Sequence, residues 1–412
     1  MNIARLIFSN SVYQLLSRTI TSVSALLLSV VIIRSLGPEV YGNFAVIITY
    51  LSIYLIFVDF GFNSIVVKDM TSGEYNSHQL YTQFFKFRIF LGILITLVAL
   101  FILFFMPYSS EIKLGILVGL PIILITSILS SYNVVYQIKG VYKYLLLTTF
   151  IGTMVYLLGS YLQIISSNFS LQGLMLLYII GSFITLIMGF YFVKDELVAL
   201  RGDFNVKYLK NLLIRSLPIG FALIFNLLMI QADRIMLSVM SGPISVGIYT
   251  LSYKLFEFVL VLPTFIMNSA YPLLLESYNN KSKYFYIYLK NIILWLLVIG
   301  IFVNIGMFLV TDYLVIWFWG SEMIDSAYTL KLLCLGIEIF FLTAPLSWLL
   351  IIRGKQNHLL IIYSVGLVIN IILNGIFIPY FDYYAAAINT VVTEFIVLML
   401  LIYLNKGVLS KG

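Results

Sequence analysis

Charge is what this sequence lacks most. Asp, Glu, Lys and Arg make up only 10% of its 412 residues, against about 25% in soluble domains, so too few charges exist to cover a water-facing surface. The single cysteine, Cys334, lies in an apolar run and allows no intramolecular disulfide. The two histidines, His78 and His358, both fall in polar connections. No Cys/His/acid cluster with metal-ligand spacing, no P-loop and no G-x-S-x-G is found. Catalysis and nucleotide-driven pumping are therefore not expected of this chain, and no cofactor is expected apart from a coupled proton or sodium ion. The first apolar run lacks the charged, apolar and small-residue order of a cleaved signal, and is read as a retained helix.

What is abundant is apolar chain. Hydrophobic residues are 62% of the total and mean hydropathy is +1.06. They come in runs of roughly 20, the length that crosses about 30 Å of hydrocarbon as helix. Helices satisfy their own backbone hydrogen bonds in lipid, and runs of this length exclude a barrel of ten-residue alternating strands. The runs are 12–34, 41–62, 88–106, 114–136, 145–165, 171–193, 217–240, 247–272, 291–311, 327–351, 359–378 and 384–404. The expectation is an all-α integral membrane protein of about twelve transmembrane helices. Residues 194–216 mix charges with Leu209, Leu212 and Leu213, and read either as a short helix in the membrane interface or as a solvated linker.

The formal charge of +7 points here to positive cytoplasmic loops rather than to nucleic acid. With the N-terminus inside, 18 of the 24 Lys and Arg fall on the cytoplasmic side, among them Lys68, Lys86, Arg88, Lys139, Lys143 and Arg353; only Arg34, Lys113 and Lys331 fall outside. Both termini are thus expected in the cytoplasm. Trp317, Phe318 and Trp319 suit an aromatic belt on the outer face.

Two segments recur. LGPEVYGNF at 36–44 matches SGPISVGIY at 241–249, an offset of 205, with Gly37, Pro38, Gly42 and Phe44 on Gly242, Pro243, Gly247 and Tyr249. IKGVYKYLLLTTFIG at 138–152 matches IRGKQNHLLIIYSVG at 352–366, an offset of 214, with Gly140 on Gly354. Both members of each pair fall on the same expected side, so the repeat is parallel. The halves are then a six-helix lobe over 1–193, the connection 194–216 and a second six-helix lobe over 217–412. Parallel repeats of this kind are a transporter architecture with substrate held between the lobes.

Three segments carry a family resemblance: RSLGPEVYGNF leading to DFGFNSIVVKD at 59–69; LPIGFALIFNLLMIQADRIMLSVMSGPISVGIYTLSYKL at 217–255; and RGKQNHLLIIYSVGLVINIILNGIFIPYFDYYAAAINTVVTE at 353–394. In their order, with the matching length and span count, the chain resembles the polysaccharide-transport branch of the multidrug/oligosaccharidyl-lipid/polysaccharide exporter superfamily. The resemblance implies a MATE-like exporter fold, two lobes around a central cavity with alternating access. It implies a substrate too: oligosaccharide repeat units on polyprenyl (undecaprenyl) pyrophosphate, flipped to the outer leaflet of the bacterial cytoplasmic membrane for O-antigen, capsule or exopolysaccharide. The partners expected from it are the lipid-linked oligosaccharide, the bilayer, a polysaccharide polymerase and glycosyltransferases, beside a chain acting as a monomer.

Ionisable residues inside spans are costly and are functional candidates by default. Here they are Arg18, Asp59, Asp233, Arg234, Lys254, Glu257, Glu338 and Glu394. A pyrophosphate needs cationic, multidentate donors, for which Arg18, Arg234 and Lys254 are the candidates, with structural ion pairing as the alternative for each. Asp233, Glu257, Glu338 and Glu394 are the candidates to carry a coupling ion. Asp59 lies close enough to a helix end to reach headgroups, and Lys254 and Glu257, three apart, can pair on one helix face. Asn370 and Asn374, four apart, either join helices by hydrogen bonds or touch sugar. Two further functions compete: an ion-coupled multidrug exporter of the same superfamily, which should have an acidic cavity, and a non-transport scaffold or enzyme of polysaccharide assembly.

Overall fold

In the computed structural model, which describes residues 3–71, 77–166, 169–197, 206–355 and 357–409, helices account for nearly every described residue and no described residue is in a strand. The chain divides into two units, Met1–Ile224 and Phe225–Gly412.

Unit 1 holds α1 (Ile3–Leu36), α2 (Pro38–Asp59), α3 (Phe62–Thr71), α4 (Ser77–Leu103), α5 (Ser110–Gly119), α6 (Pro121–Lys139), α7 (Lys143–Ile165), α8 (Leu171–Val193) and the first part of α9 (Val206–Met240). Here α1 packs on α2 and α7, α2 on both α5 and α6, and α4 on α6. α7 and α8 meet through glycines: a Cβ on Gly152 would sit 2.4 Å from the Gly181 carbonyl oxygen. Serines start two of the helices, Ser109 accepting from the Ile112 N–H and Ser170 from the Gly173 N–H.

Unit 2 holds the end of α9, α10 (Pro243–Asn279), α11 (Tyr284–Trp319), α12 (Ile324–Cys334), α13 (Ile337–Ile352) and α14 (Asn357–Leu409). The neighbour scheme repeats: α10 packs on both α12 and α13, and α11 on α13. In each unit the fourth apolar run is therefore a broken helix, α5–α6 in one and α12–α13 in the other.

The recurring turns have the same backbone. Gly37 (φ 90°, ψ 169°) and Gly242 (φ 99°, ψ −178°) both precede a proline in the first turn of the next helix. That conformation is open essentially to glycine alone. Gly140 (φ 63°) and Gly354 (φ 68°) both close a helix in the left-handed region. The next N–H reaches back five residues in each case, Val141 to the Tyr136 carbonyl at 3.0 Å and Lys355 to the Leu350 carbonyl at 2.8 Å. This is the Schellman closure of a helix.

Nine helices among the described residues are long and apolar enough to cross a membrane, and the bent pair Ser321–Cys334 and Ile337–Ile352 makes a tenth. The chain is a multi-pass membrane protein. The difference from about twelve has a local cause. Asp382 leaves helical geometry (φ 54°, ψ −137°), so the 53-residue α14 turns there and contains both the 359–378 and 384–404 runs. The 217–240 run lies in α9, which is not among the ten.

Two expectations are corrected. Residues 206–216 form no separate interfacial helix: they are the first part of the 35-residue α9. Its Leu209 and Leu212 are buried in the core of unit 1 with Phe84 and Tyr132, and Arg215 grips Asp69 with two hydrogen bonds of 2.9 and 2.7 Å. Residues 198–205 of the connection lie outside the described residues. In the aromatic trio, Trp317 is exposed as a belt residue should be, but Trp319 is buried.

Candidate functional site

The polar centre of unit 2 is built on Asp233, which is 1% exposed. A carboxylate in so apolar a surround is stable only if hydrogen-bonded, and two other helices, α10 and α14, supply the donors. At Oδ2 it accepts from the Tyr249 hydroxyl of α10 (2.5 Å) and the Thr390 hydroxyl of α14 (2.7 Å). At Oδ1 it accepts from the side-chain amides of Asn370 (3.0 Å) and Asn374 (2.5 Å). Asn389 donates to the Asn374 oxygen at 3.0 Å and extends the cluster. Asn370 and Asn374 share a face because they are one helical turn apart. In this structure their amides join α14 to α9.

Arg234 follows Asp233 by one residue and points elsewhere, since successive helical residues are about 100° apart. It is 9% exposed. Its Nη1 donates to Gln231 Oε1 at 3.1 Å, and its guanidinium carbon stands 4.9 Å from the centre of the Tyr253 ring. Nε and Nη2 are buried and have no hydrogen-bond partner among the described residues. Those two nitrogens form one edge of the guanidinium, where parallel N–H bonds can take two oxygens of one phosphate or carboxylate.

Lys254 follows Tyr253 on α10 and is half-buried, while Glu257 is exposed. The expected pairing of these two is not formed: no ion pair within 4.0 Å joins them among the described residues. Glu394 is 4% exposed and accepts from the Thr343 hydroxyl at 2.6 Å. Glu338, half-buried, accepts from the Asn304 amide at 2.7 Å. Arg18 is an exposed residue of α1 in unit 1. Unit 2 thus brings Asp233, Arg234 and Lys254 into one neighbourhood around Tyr249 and Tyr253, with Glu338 and Glu394 on separate contacts.

Sequence reasoning passed over Tyr249, Tyr253, Asn389 and Thr390. The signal for Tyr249 was present in the repeat, where its counterpart is Phe44 and only the second copy carries a hydroxyl. It also misplaced Arg88. Counted as a loop charge, Arg88 is fully buried within α4. Its Nη1 donates to the Val58 carbonyl, its Nη2 to Asn63 Oδ1 (2.5 Å), and its guanidinium lies by the rings of Phe62 and Phe84. Val58 lies in the last turn of α2, just before the break at Phe60 (φ 39°) and Gly61 (φ 72°). Arg88 therefore supplies a donor to a carbonyl that the break leaves without its helical partner. Among the described residues no group of three or more His, Cys, Asp or Glu could hold a metal ion.

Comparison with known proteins gives consistent relatives. The family described as polysaccharide biosynthesis protein matches residues 7–278, and a second, MatE, matches residues 218–376. The chain is 23% identical to the capsular polysaccharide biosynthesis protein CapF of Staphylococcus aureus, over 96% of this chain and 98% of CapF. Among solved structures it is similar to the lipid II flippase MurJ in an inward closed conformation, with a TM-score of 0.78 at 16% identity over 97% of this chain and 87% of MurJ. It is also similar to an inward-facing multidrug resistance MATE family transporter of the MOP superfamily, with a TM-score of 0.74 at 14% identity over 94% and 95% of the two chains. The fold is that of these exporters.

Proposed function

The chain belongs to the polysaccharide biosynthesis protein family, and from that membership we propose that it is a flippase for polyprenyl pyrophosphate-linked oligosaccharide repeat units. Undecaprenyl is the carrier in this reading. Transport runs by alternating access from the cytoplasmic to the outer leaflet of a bacterial cytoplasmic membrane, and both termini are cytoplasmic. The cargo is a surface-polysaccharide precursor, and the chain itself makes or breaks no bond.

One observation carries the reading: the buried, unpartnered Nε and Nη2 edge of Arg234. A guanidinium edge left open inside a protein suits a doubly charged pyrophosphate, whose oxygens match its geometry. Lys254, one residue past the tyrosine under Arg234, adds positive charge, and Arg18 is a further candidate cation for the headgroup. Outward movement of negative charge is favoured by a negative cell interior, by about 2.3 kcal/mol per charge per 100 mV. Asp233, Glu257, Glu338 and Glu394 are the groups through which a proton or sodium ion would couple to the cycle. Asp233 leads them because four donors from two other helices converge on it.

The MatE match over 218–376, which includes Asp233, favours a second reading as an ion-coupled multidrug exporter. Deleting the gene and extracting polyprenyl-linked glycans separates the two. Flipping predicts complete repeat units accumulating in the cytoplasmic leaflet while surface polysaccharide is lost. Unchanged glycan and carrier pools, with new sensitivity to cationic compounds, would refute it in favour of drug export.

A further inference from the structure

Unit 1 contains a groove that the reading above does not use. It has a volume of about 570 Å³ and runs between α1 and α7, walled by Leu16 and Ile20 on one side and Leu146, Leu147 and Phe150 on the other. Lys143 and Tyr144 close one end. The groove is held open by fixed contacts at that end: Asn10 Oδ1 of α1 accepts from the Tyr142 N–H at 3.2 Å, and Tyr144 stacks on Phe192 with ring centres 4.0 Å apart.

Lys143 is the first residue of α7, so it marks the membrane boundary. From Lys143 to Phe150 the groove descends about 10 Å at 1.5 Å per residue, within the roughly 15 Å depth of one leaflet's hydrocarbon. The head end is positive and available. Lys139, the last residue of α6, is ion-paired with Glu196, whereas Lys143 has no ion pair within 4.0 Å among the described residues and touches the Tyr144 ring (4.9 Å). Basic pockets between transmembrane helices bind anionic head groups.

We propose that the α1–α7 groove is a binding site for one anionic phospholipid, its phosphate at Lys143 and one acyl chain along Leu147 and Phe150. A zwitterionic lipid brings its own cation to the lysine and gains less. A polyprenyl carrier chain is much longer than the groove.

The test uses the purified full chain in vesicles of equal phosphatidylglycerol and phosphatidylcholine, followed by native mass spectrometry of retained lipid. Phosphatidylglycerol is expected to be retained about fivefold over phosphatidylcholine, the factor one lysine near an anionic head supplies. Lys143→Ala should abolish the preference, Lys143→Arg should keep it, and Leu147→Trp should lower retention of both lipids. Lys143 and Leu147 are both exposed, so these variants leave the core intact. Equal retention of the two lipids overturns the proposal, as does a preference that survives Lys143→Ala. Displacement of phosphatidylglycerol by an equal mole fraction of undecaprenyl phosphate also overturns it. The readout is lipid binding and does not depend on what the protein transports.

Discussion

Asp233 offers a test in which two substitutions of similar size should behave differently. Asp233→Leu removes the acceptor for Tyr249, Thr390, Asn370 and Asn374 together. Hydrogen bonds between membrane helices are worth about 0.6 kcal/mol on average and up to about 1.7, so four of them amount to roughly 2–7 kcal/mol. Asp233→Asn should cost far less. An asparagine can keep its oxygen toward the NH2 groups of Asn370 and Asn374, which only donate. Its NH2 then faces the two hydroxyls, which can turn and accept. The assay is the thermal midpoint of detergent-solubilised protein, read as loss of the monodisperse peak in size exclusion. Asp233→Leu should lower it clearly and Asp233→Asn only slightly. Equal losses for both, or a stable Asp233→Leu, would refute the account of Asp233 as a satisfied hub. A stable Asp233→Asn that still flips substrate at the normal rate would remove Asp233 from the ion-coupling candidates.

Arg234→Ala and Arg18→Ala should each abolish flipping in a complementation assay while expression persists, and normal surface polysaccharide from well-expressed variants would sink their assignment to the pyrophosphate. Arg88→Met should lower the thermal midpoint by the equivalent of roughly 2–6 kcal/mol, because the Val58 carbonyl and Asn63 Oδ1 lose their donor at about 1–3 kcal/mol each; an unchanged midpoint would contradict the burial described. Gly242→Ala should cost about 1–3 kcal/mol through its backbone alone, since among the described residues nothing beyond its chain neighbours lies within 4 Å of the added Cβ. Gly354→Asn should be tolerated, because asparagine enters the left-handed region readily, and a Gly242→Asn as stable as Gly354→Asn would show the two turns to be misread.

The positions of the apolar runs and the duplication were legible because each rests on a local rule. A helix in lipid needs an unbroken apolar stretch, and glycine is the residue that most readily takes a positive φ, so Gly37, Gly242, Gly140 and Gly354 advertised their turns. Arg88 was illegible for the opposite reason. It stands at the edge of an apolar run, where a charge usually reaches water, and only the break at Phe60 and Gly61 gives it a buried carbonyl to serve. Tyr249 and Thr390 were hidden because a hydroxyl in an apolar run signals nothing until the carboxylate it faces is known. Asn370 and Asn374 were visible as a pair, but their partner is 137 and 141 residues away in sequence. Lys254 and Glu257 had the right spacing and do not pair, since spacing fixes proximity and not where flexible ends settle. The interfacial reading of 206–216 failed because charges on one side of that segment concealed two leucines committed to the core.

The matching turns have a consequence for how such a protein can diversify. Moving back by the offset of 205 from Asp233 and Arg234 reaches Leu28 and Ser29, both buried in unit 1. The same frame therefore tolerates an adjacent acid and base at these two positions in one half and uncharged residues in the other. The turns depend on glycine conformations, not on the side chains lining the interior, so the polar inventory of one half can be rewritten without redrawing its architecture. Substitutions at such interior positions can then accumulate in either half while both keep the same turns.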